Sequence, residues 1–148
     1  MPTSEWWEKC IADVAAAFEV ELATYMCDNA GLRKALLKRL KQQSLQCSVR
    51  LDAEAFSGRT PFHQRARLTE LHQSGAKIFI CRGEMKKGSY HRKALVVDRR
   101  YLYTGGANLT GKSCDNKELC YRITGPVVGQ VLEWLNQDAQ DGRRWDGK

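Results

Sequence analysis

His91-Arg92-Lys93-Ala94-Leu95-Val96-Val97-Asp98 sets an imidazole, an ammonium two residues on, and a carboxylate after an apolar run. On an extended strand, side chains two apart project to the same face, so His91 and Lys93 look into one cavity. Ala94 to Val97 then forms a buried strand core. Asp98 ends it at a turn, where a carboxylate can orient a ring or hold a neighbouring cation. Together these groups suit attack on a phosphodiester, with a nucleophile or base beside a phosphate-binding cation.

Further residues extend the pattern. After a strand at Tyr101 to Thr104 comes Gly105-Gly106-Ala107-Asn108, and Asn116-Lys117-Glu118 opens another apolar stretch. Glycines let backbone approach a ligand closely. Asn108 offers amide donors to phosphate oxygens, and Glu118 has the chemistry to hold an imidazole. On these residues the chain resembles the phospholipase D superfamily, whose signature is His-x-Lys-x4-Asp, then Gly-Gly/Ser-x-Asn and a downstream Glu. It is most similar to the single-motif members, the small bacterial endonucleases and the mitochondrial phospholipase-D-like nucleases. One departure is Gly106, where many members carry Ser; Thr110 and Ser113 are the candidates to replace that hydroxyl.

The resemblance implies a fold and a chemistry. The fold is α/β, an α/β/α sandwich with a mixed central sheet. The activity is that of a metal-independent phosphodiesterase, an endonuclease working through a phosphohistidine, with no cofactor and no metal. The family joins two such motifs at one active site, and this sequence has one, so a homodimer is expected to supply the second histidine. His91, Lys93, Asp98, Asn108 and Glu118 are the expected catalytic set. Gly105, Gly106, Thr110 and Ser113 are expected at the substrate. Lys86 and Lys87, just before His91, and Arg92 are expected to guide its phosphates. The Gly-Gly form also occurs in cardiolipin synthases, so phospholipid hydrolysis or transfer is the alternative. A non-catalytic nucleic-acid-binding module is the third reading, and the complete motif argues against it.

A decoy lies in the same segment. Gly106-Ala-Asn-Leu-Thr-Gly111-Lys112-Ser113 fits the nucleotide phosphate-loop pattern letter for letter. That loop works only between a strand and a helix whose N-terminus faces the phosphates. Here Ser113 to Glu118 has poor helix character and runs into the strand-like Leu119 to Ile123.

Composition bounds the rest. The chain has 148 residues, one domain's worth, and is 43% apolar with four tryptophans, enough for a sizeable core. A net charge of +7 points to an anionic partner, most simply nucleic acid. Without an aromatic-rich strand of the single-strand-binding type, backbone contact is the default. Six cysteines form no C-x-x-C pair, and with no leader sequence recognisable they read as reduced thiols of a soluble intracellular protein. Cys114 and Cys120 flank Glu118 without zinc-ligand spacing. His63 and His72 read as helix residues rather than metal ligands. No apolar run reaches membrane-spanning length.

The expected order of elements is a helix from Ser4 to about Ala17 with Trp7, Ile11, Val14 and Phe18 on its apolar face, then a strand at 19–26. A helix capped by Asp28 or Asn29 follows to about Gln43, presenting Leu32, Leu36, Leu37 and Leu40. Next come strand 47–51, a helix from Phe62 stopped by Gly75, strand 76–81, a basic loop, a hairpin of strands 93–97 and 101–104, and strand 117–123. A last helix starts at Pro126, with Val127, Val128, Val131, Leu132 and Leu135 inside. The whole chain, 1–148, is read as a single domain, with residues 1–3 and 140–148 as flexible ends.

Overall fold

The computed structural model describes residues 1–24, 29–57, 62–106 and 117–148, with backbone alone for Ser57, Phe62 and His63. Its strands are β1 (Glu19–Thr24), β2 (Gln46–Asp52), β3 (Lys77–Cys81), β4 (Ala94–Val97), β5 (Tyr101–Gly105), β6 (Cys120–Ile123) and β7 (Arg143–Arg144). They form one sheet in the order β6-β5-β4-β1-β2-β3-β7. Its helices are α1 (Thr3–Ala15), α2 (Ala30–Lys41), the short α3 (Ala53–Ser57), α4 (Phe62–Gln73) and α5 (Pro126–Asp141).

Strands β1, β2 and β3 are parallel neighbours. Crossovers of one hand between adjacent parallel strands put their helices on one face. Leucines at 32, 36, 37 and 40 of α2 and Leu68 and Leu71 of α4 are accordingly buried in one cluster with Trp6, Val20, Leu22, Leu95 and Val97. Strands β4, β5 and β6 form an antiparallel meander, and β4 pairs antiparallel with β1. From the β6 edge the chain returns as α5 across the opposite face, where Val128, Leu132 and Leu135 cover Ala23, Ala94, Val96 and Leu102. The result is the expected α/β/α sandwich, with a mixed sheet.

Local chemistry explains the boundaries. The Asn29 side chain accepts the Leu32 N–H at 2.9 Å and caps α2. Gly75, at φ +109, ends α4. Pro126 sits in the first turn of α5, where its missing N–H costs nothing. Beneath α5, the buried Arg50 of β2 donates to the Leu135 carbonyl at 2.6 Å and to Glu21 at 2.7 Å, tying the helix to the sheet. Its charge and its donors are thereby met inside the fold, as burial of a guanidinium demands.

Several expectations need correction. Helix α1 starts at Thr3, with Pro2 before it, so Ser4 lies inside the first turn rather than capping it. Phe18 is 71% exposed, and Trp6 takes its place inside, donating its indole N–H to the Tyr121 carbonyl at 3.0 Å. Val127 is exposed on α5. Strand β6 begins at Cys120, three residues later than expected. The largest correction concerns the C-terminus. Residues beyond Gln140 are not a loose tail: α5 runs to Asp141, and β7 pairs antiparallel with β3. Trp145 is buried against Phe56 and His72, its ring 5.2 and 5.4 Å from theirs. A single tryptophan between charged residues carries no periodicity, which is why the pattern missed it.

Asp98 also departs from its expected place. Asp98 and Arg99 lie at φ +53 and +56, and the Arg100 N–H bonds the Val97 carbonyl at 3.0 Å, forming the mirror-image two-residue turn that suits hairpin twist. The Asp98 carboxylate accepts the N–H groups of Phe18 and Glu19 at 2.8 and 3.0 Å, latching the start of β1 to this turn. The whole of β4 separates it from His91. Its role here is in the hairpin, not beside the imidazole.

Two substitutions test these anchors. Trp145→Ala is expected to cost about 3–5 kcal/mol in urea unfolding, the range for emptying a buried aromatic site. Asp98→Ala is expected to cost about 0.5–1.5 kcal/mol by removing two hydrogen bonds, one exposed and one part-buried. Asp98→Asn, which keeps an acceptor and tolerates positive φ, should recover much of that loss in the same unfolding experiment.

Candidate active site at the strand ends

Antiparallel pairing brings three chain segments to one end of the sheet. Ala94 opposes Ala23 of β1 on one side and Thr104 of β5 on the other, and Gly105 opposes Cys120. One more residue along that register sets Lys93 opposite Gly105 and next to the C-terminal end of β1. The lead-in to β4, the end of β5 and the start of β6 thus meet where parallel β1, β2 and β3 also end. Carboxyl ends of strands are where open α/β sheets build their sites.

Alternation sorts the side chains. Ala94 and Val96 pack under α5, whereas Leu95 and Val97 face the α1–α2 layer. The lead-in, residues 90–93, precedes the strand. Tyr90 is buried in the α5 layer, and Arg92 reaches α5. His91 is exposed and Lys93 half-buried. The Lys93 carbonyl accepts the Thr104 hydroxyl at 2.6 Å, fixing its backbone to β5.

Glycines 105 and 106 explain themselves by contact. Gly105 lies at φ +143, and a Cβ on it would stand 1.9 Å from the Leu119 carbonyl oxygen. No side chain fits there. At Gly106 a Cβ would meet the Glu118 carboxylate at 2.6 Å. The Glu118 carboxylate thus rests against the bare Gly106 backbone, held in register by the Gly106 N–H on the Leu119 carbonyl at 2.9 Å and by the Thr3 hydroxyl accepting the Glu118 N–H at 3.2 Å. A serine at 106 would push that carboxylate aside.

Of the expected residues, the strand ends gather His91, Lys93, Gly105, Gly106 and Glu118. Asn108, Thr110 and Ser113 lie outside the described residues. Of the phosphate-loop decoy, the described continuation, Lys117 to Ile123, is extended chain and strand rather than helix. Lys86 and Lys87 are exposed on the loop before His91, with Lys86 at φ +62.

Arg92 is tied to α5. Its Nε donates to Asp138 at 2.6 Å, and its guanidinium lies 5.9 Å from the Trp134 ring centroid. It lines the same cleft as His91. This cleft of about 730 Å³ is lined by Tyr90, His91, Arg92, Trp134 and Asp138 and bordered by the basic loop.

Three residues that the motif did not announce support the lead-in. Asp52 is buried; it accepts the Tyr90 N–H at 2.5 Å and the Ala55 N–H at 2.9 Å, so it caps α3 and pins the chain just before His91. The Tyr90 hydroxyl donates to Asp138 at 2.8 Å. Burial, then the hydrogen bond to Asp138, pushes the Tyr90 phenol far above its ordinary value, so it stays protonated. Asp138 carried no signal in the sequence, being one carboxylate on a polar helix. Tyr90 did carry one, since it shares parity with Arg92.

Comparison with known proteins agrees with this architecture. A family model described as "Cardiolipin synthase, PLD-like domain" matches residues 14–139. A search of curated protein sequences finds no match. Among solved structures, a phospholipase D family member, Nuc from Salmonella typhimurium, superposes with a TM-score of 0.79 at 19% identity, over 94% of this chain and 90% of that one. NucT from Helicobacter pylori gives 0.83 at 14% identity, over 97% and 92%. Phosphatidylserine synthase from Haemophilus influenzae gives 0.75 at 15% identity, over 98% of this chain and 38% of that longer one. With its motif residues gathered at the strand ends and a family match over most of its length, the chain belongs to the phospholipase D superfamily.

Proposed function

We propose that the protein is a metal-independent nuclease that cleaves phosphodiester bonds in nucleic acid through a phosphohistidine, working as a homodimer. The observation that carries this reading is that the lead-in bearing His91 and Lys93, the glycine-bared backbone at 105 and 106, and the Glu118 carboxylate meet at one end of the sheet. In the first step the neutral His91 ring attacks phosphorus. A P–N bond forms as the bond to the leaving oxygen breaks, and the protonated His91 of the partner subunit gives that oxygen its proton. Water, deprotonated by that same partner histidine, then attacks phosphorus, and the P–N bond breaks to free His91. Lys93 and Asn108 from both copies hold the non-bridging oxygens as charge grows. Glu118 orients the ring that faces it.

The homodimer follows from stoichiometry: one His-x-Lys in the sequence, two imidazoles in the scheme. Nucleic acid as substrate is supported by the +7 charge and by the exposed Lys86 and Lys87 beside His91. Among the described residues no helix is long and apolar enough to cross a membrane. A phospholipid substrate is the competing reading, favoured by the description of the matching family and by the likeness to a phosphatidylserine synthase.

The deciding experiment incubates the protein in EDTA with labelled single-stranded DNA, RNA and, separately, phosphatidylglycerol vesicles. Cleavage of oligonucleotides is expected, falling about 10³-fold or more in His91→Ala, with binding retained. Turnover of the vesicles alone would replace the nuclease reading with the lipid one. DNA binding without turnover of either would make the protein a binding module. Retention of DNA should fall steeply with salt, and Lys86→Ala and Lys87→Ala should each lower the slope of log K against log salt by about 1.

A further inference from the structure

The residues on either side of His91 are tied to one carboxylate. Asp138 accepts the Tyr90 hydroxyl at 2.8 Å and the Arg92 Nε–H at 2.6 Å, while Asp52 accepts the Tyr90 backbone N–H at 2.5 Å. Tyr90 is 4% exposed, and Arg50 fastens the helix bearing Asp138 through the Leu135 carbonyl at 2.6 Å. His91 itself lies on an exposed loop before β4 begins, outside the ladder that would otherwise fix its backbone.

We infer that Asp138, acting through Tyr90 and Arg92 and with Asp52 on the backbone, is a positioning residue that aims His91 and Lys93 at the scissile phosphate. The inference rests on the nuclease reading above and goes beyond it, for neither the motif nor the family pattern includes these groups. The physics is simple. Pinning residues 90 and 92 leaves residue 91 little freedom in φ and ψ, so the direction of its Cα–Cβ bond is held beside the cleft that all three residues line. Residue 93 follows through the bond between its carbonyl and Thr104. Attack on phosphorus needs the nucleophile held to within about half an ångström, and a misplacement of about 1 Å costs roughly 10²-fold in rate.

Asp138 also explains why the lead-in carries an arginine and a tyrosine at alternate positions. Both are long donors that reach across the cleft to one acceptor. With the phenol held protonated by burial, the bond to Asp138 persists through the ordinary assay range. None of these groups touches substrate in this scheme. They act by holding the backbone of a residue that does.

The test compares kcat, KM and thermal midpoint in Tyr90→Phe, Asp138→Asn and their combination. Leu132→Ala, a cavity variant on the same helix away from both hydrogen bonds, reports mere destabilisation. Asp138→Asn is expected to lose about 10- to 100-fold in kcat with KM within about twofold. Tyr90→Phe should lose less, and the combination no more than Asp138→Asn alone, because both act through one carboxylate. Leu132→Ala should melt earlier yet turn over normally below its midpoint. A loss confined to KM, or wild-type kcat in Asp138→Asn, would overturn the inference.

A second readout needs no activity. The chain has three histidines, so their ring signals are separable by NMR. Those of His91 should move in Tyr90→Phe and Asp138→Asn and stay in place in Leu132→Ala. Unmoved signals in the first two would overturn the clamp even if the protein proved to cleave nothing, which is how its failure is told apart from failure of the nuclease reading. Should Asp138→Asn not fold, Tyr90→Phe decides both readouts.

Discussion

The hold on Tyr90, His91, Arg92 and Lys93 is the constraint on which the site depends. These residues precede the regular pairing, which begins at Ala94. Asp52, at the end of β2, accepts the Tyr90 N–H, and Asp138 on α5 accepts the Tyr90 hydroxyl and the Arg92 Nε–H. These bonds do for this segment what the ladder does for β4.

The sandwich around it serves that arrangement. Parallel β1 to β3 place helices on one face, and the meander β4 to β6 brings both its loops to defined ends of the sheet. The end of β5 lies beside the lead-in to β4, whereas the tight turn after β4 lies at the opposite end. That is why two halves of one motif part company. His91 and Lys93 stand at the open end, and Asp98 stands at the other, spent on the backbone of Phe18 and Glu19. Proximity along the chain misled here because four strand residues, at about 3.3 Å each, carry a residue roughly 13 Å away.

Buried charge is the second theme. Arg50, Asp52 and Asp138 all lie on the α5 side, and each has partners that meet its charge or its donors. Such groups add little net stability compared with apolar packing, yet removing one partner is costly. Their arrangement links β1, β2, α5 and the lead-in to β4 into one unit. The site therefore rests on a rigid layer behind it rather than on its own loops.

The sequence by itself determined the fold class, the broad order of elements, the leucine face of α2, a cap at Asp28 or Asn29, and the family, because these rest on short-range periodicity and on motif residues close in the chain. It also named His91, Lys93, Gly105, Gly106 and Glu118, the residues the strand ends bring together. Tertiary structure alone decided the rest. It moved Asp98 to the far turn and turned Arg92 to Asp138. It drew Trp145 into the core and set the Glu118 carboxylate against Gly106. Each of those contacts spans tens of residues, and a one-dimensional pattern carries no record of which distant partner a single polar or aromatic side chain will meet.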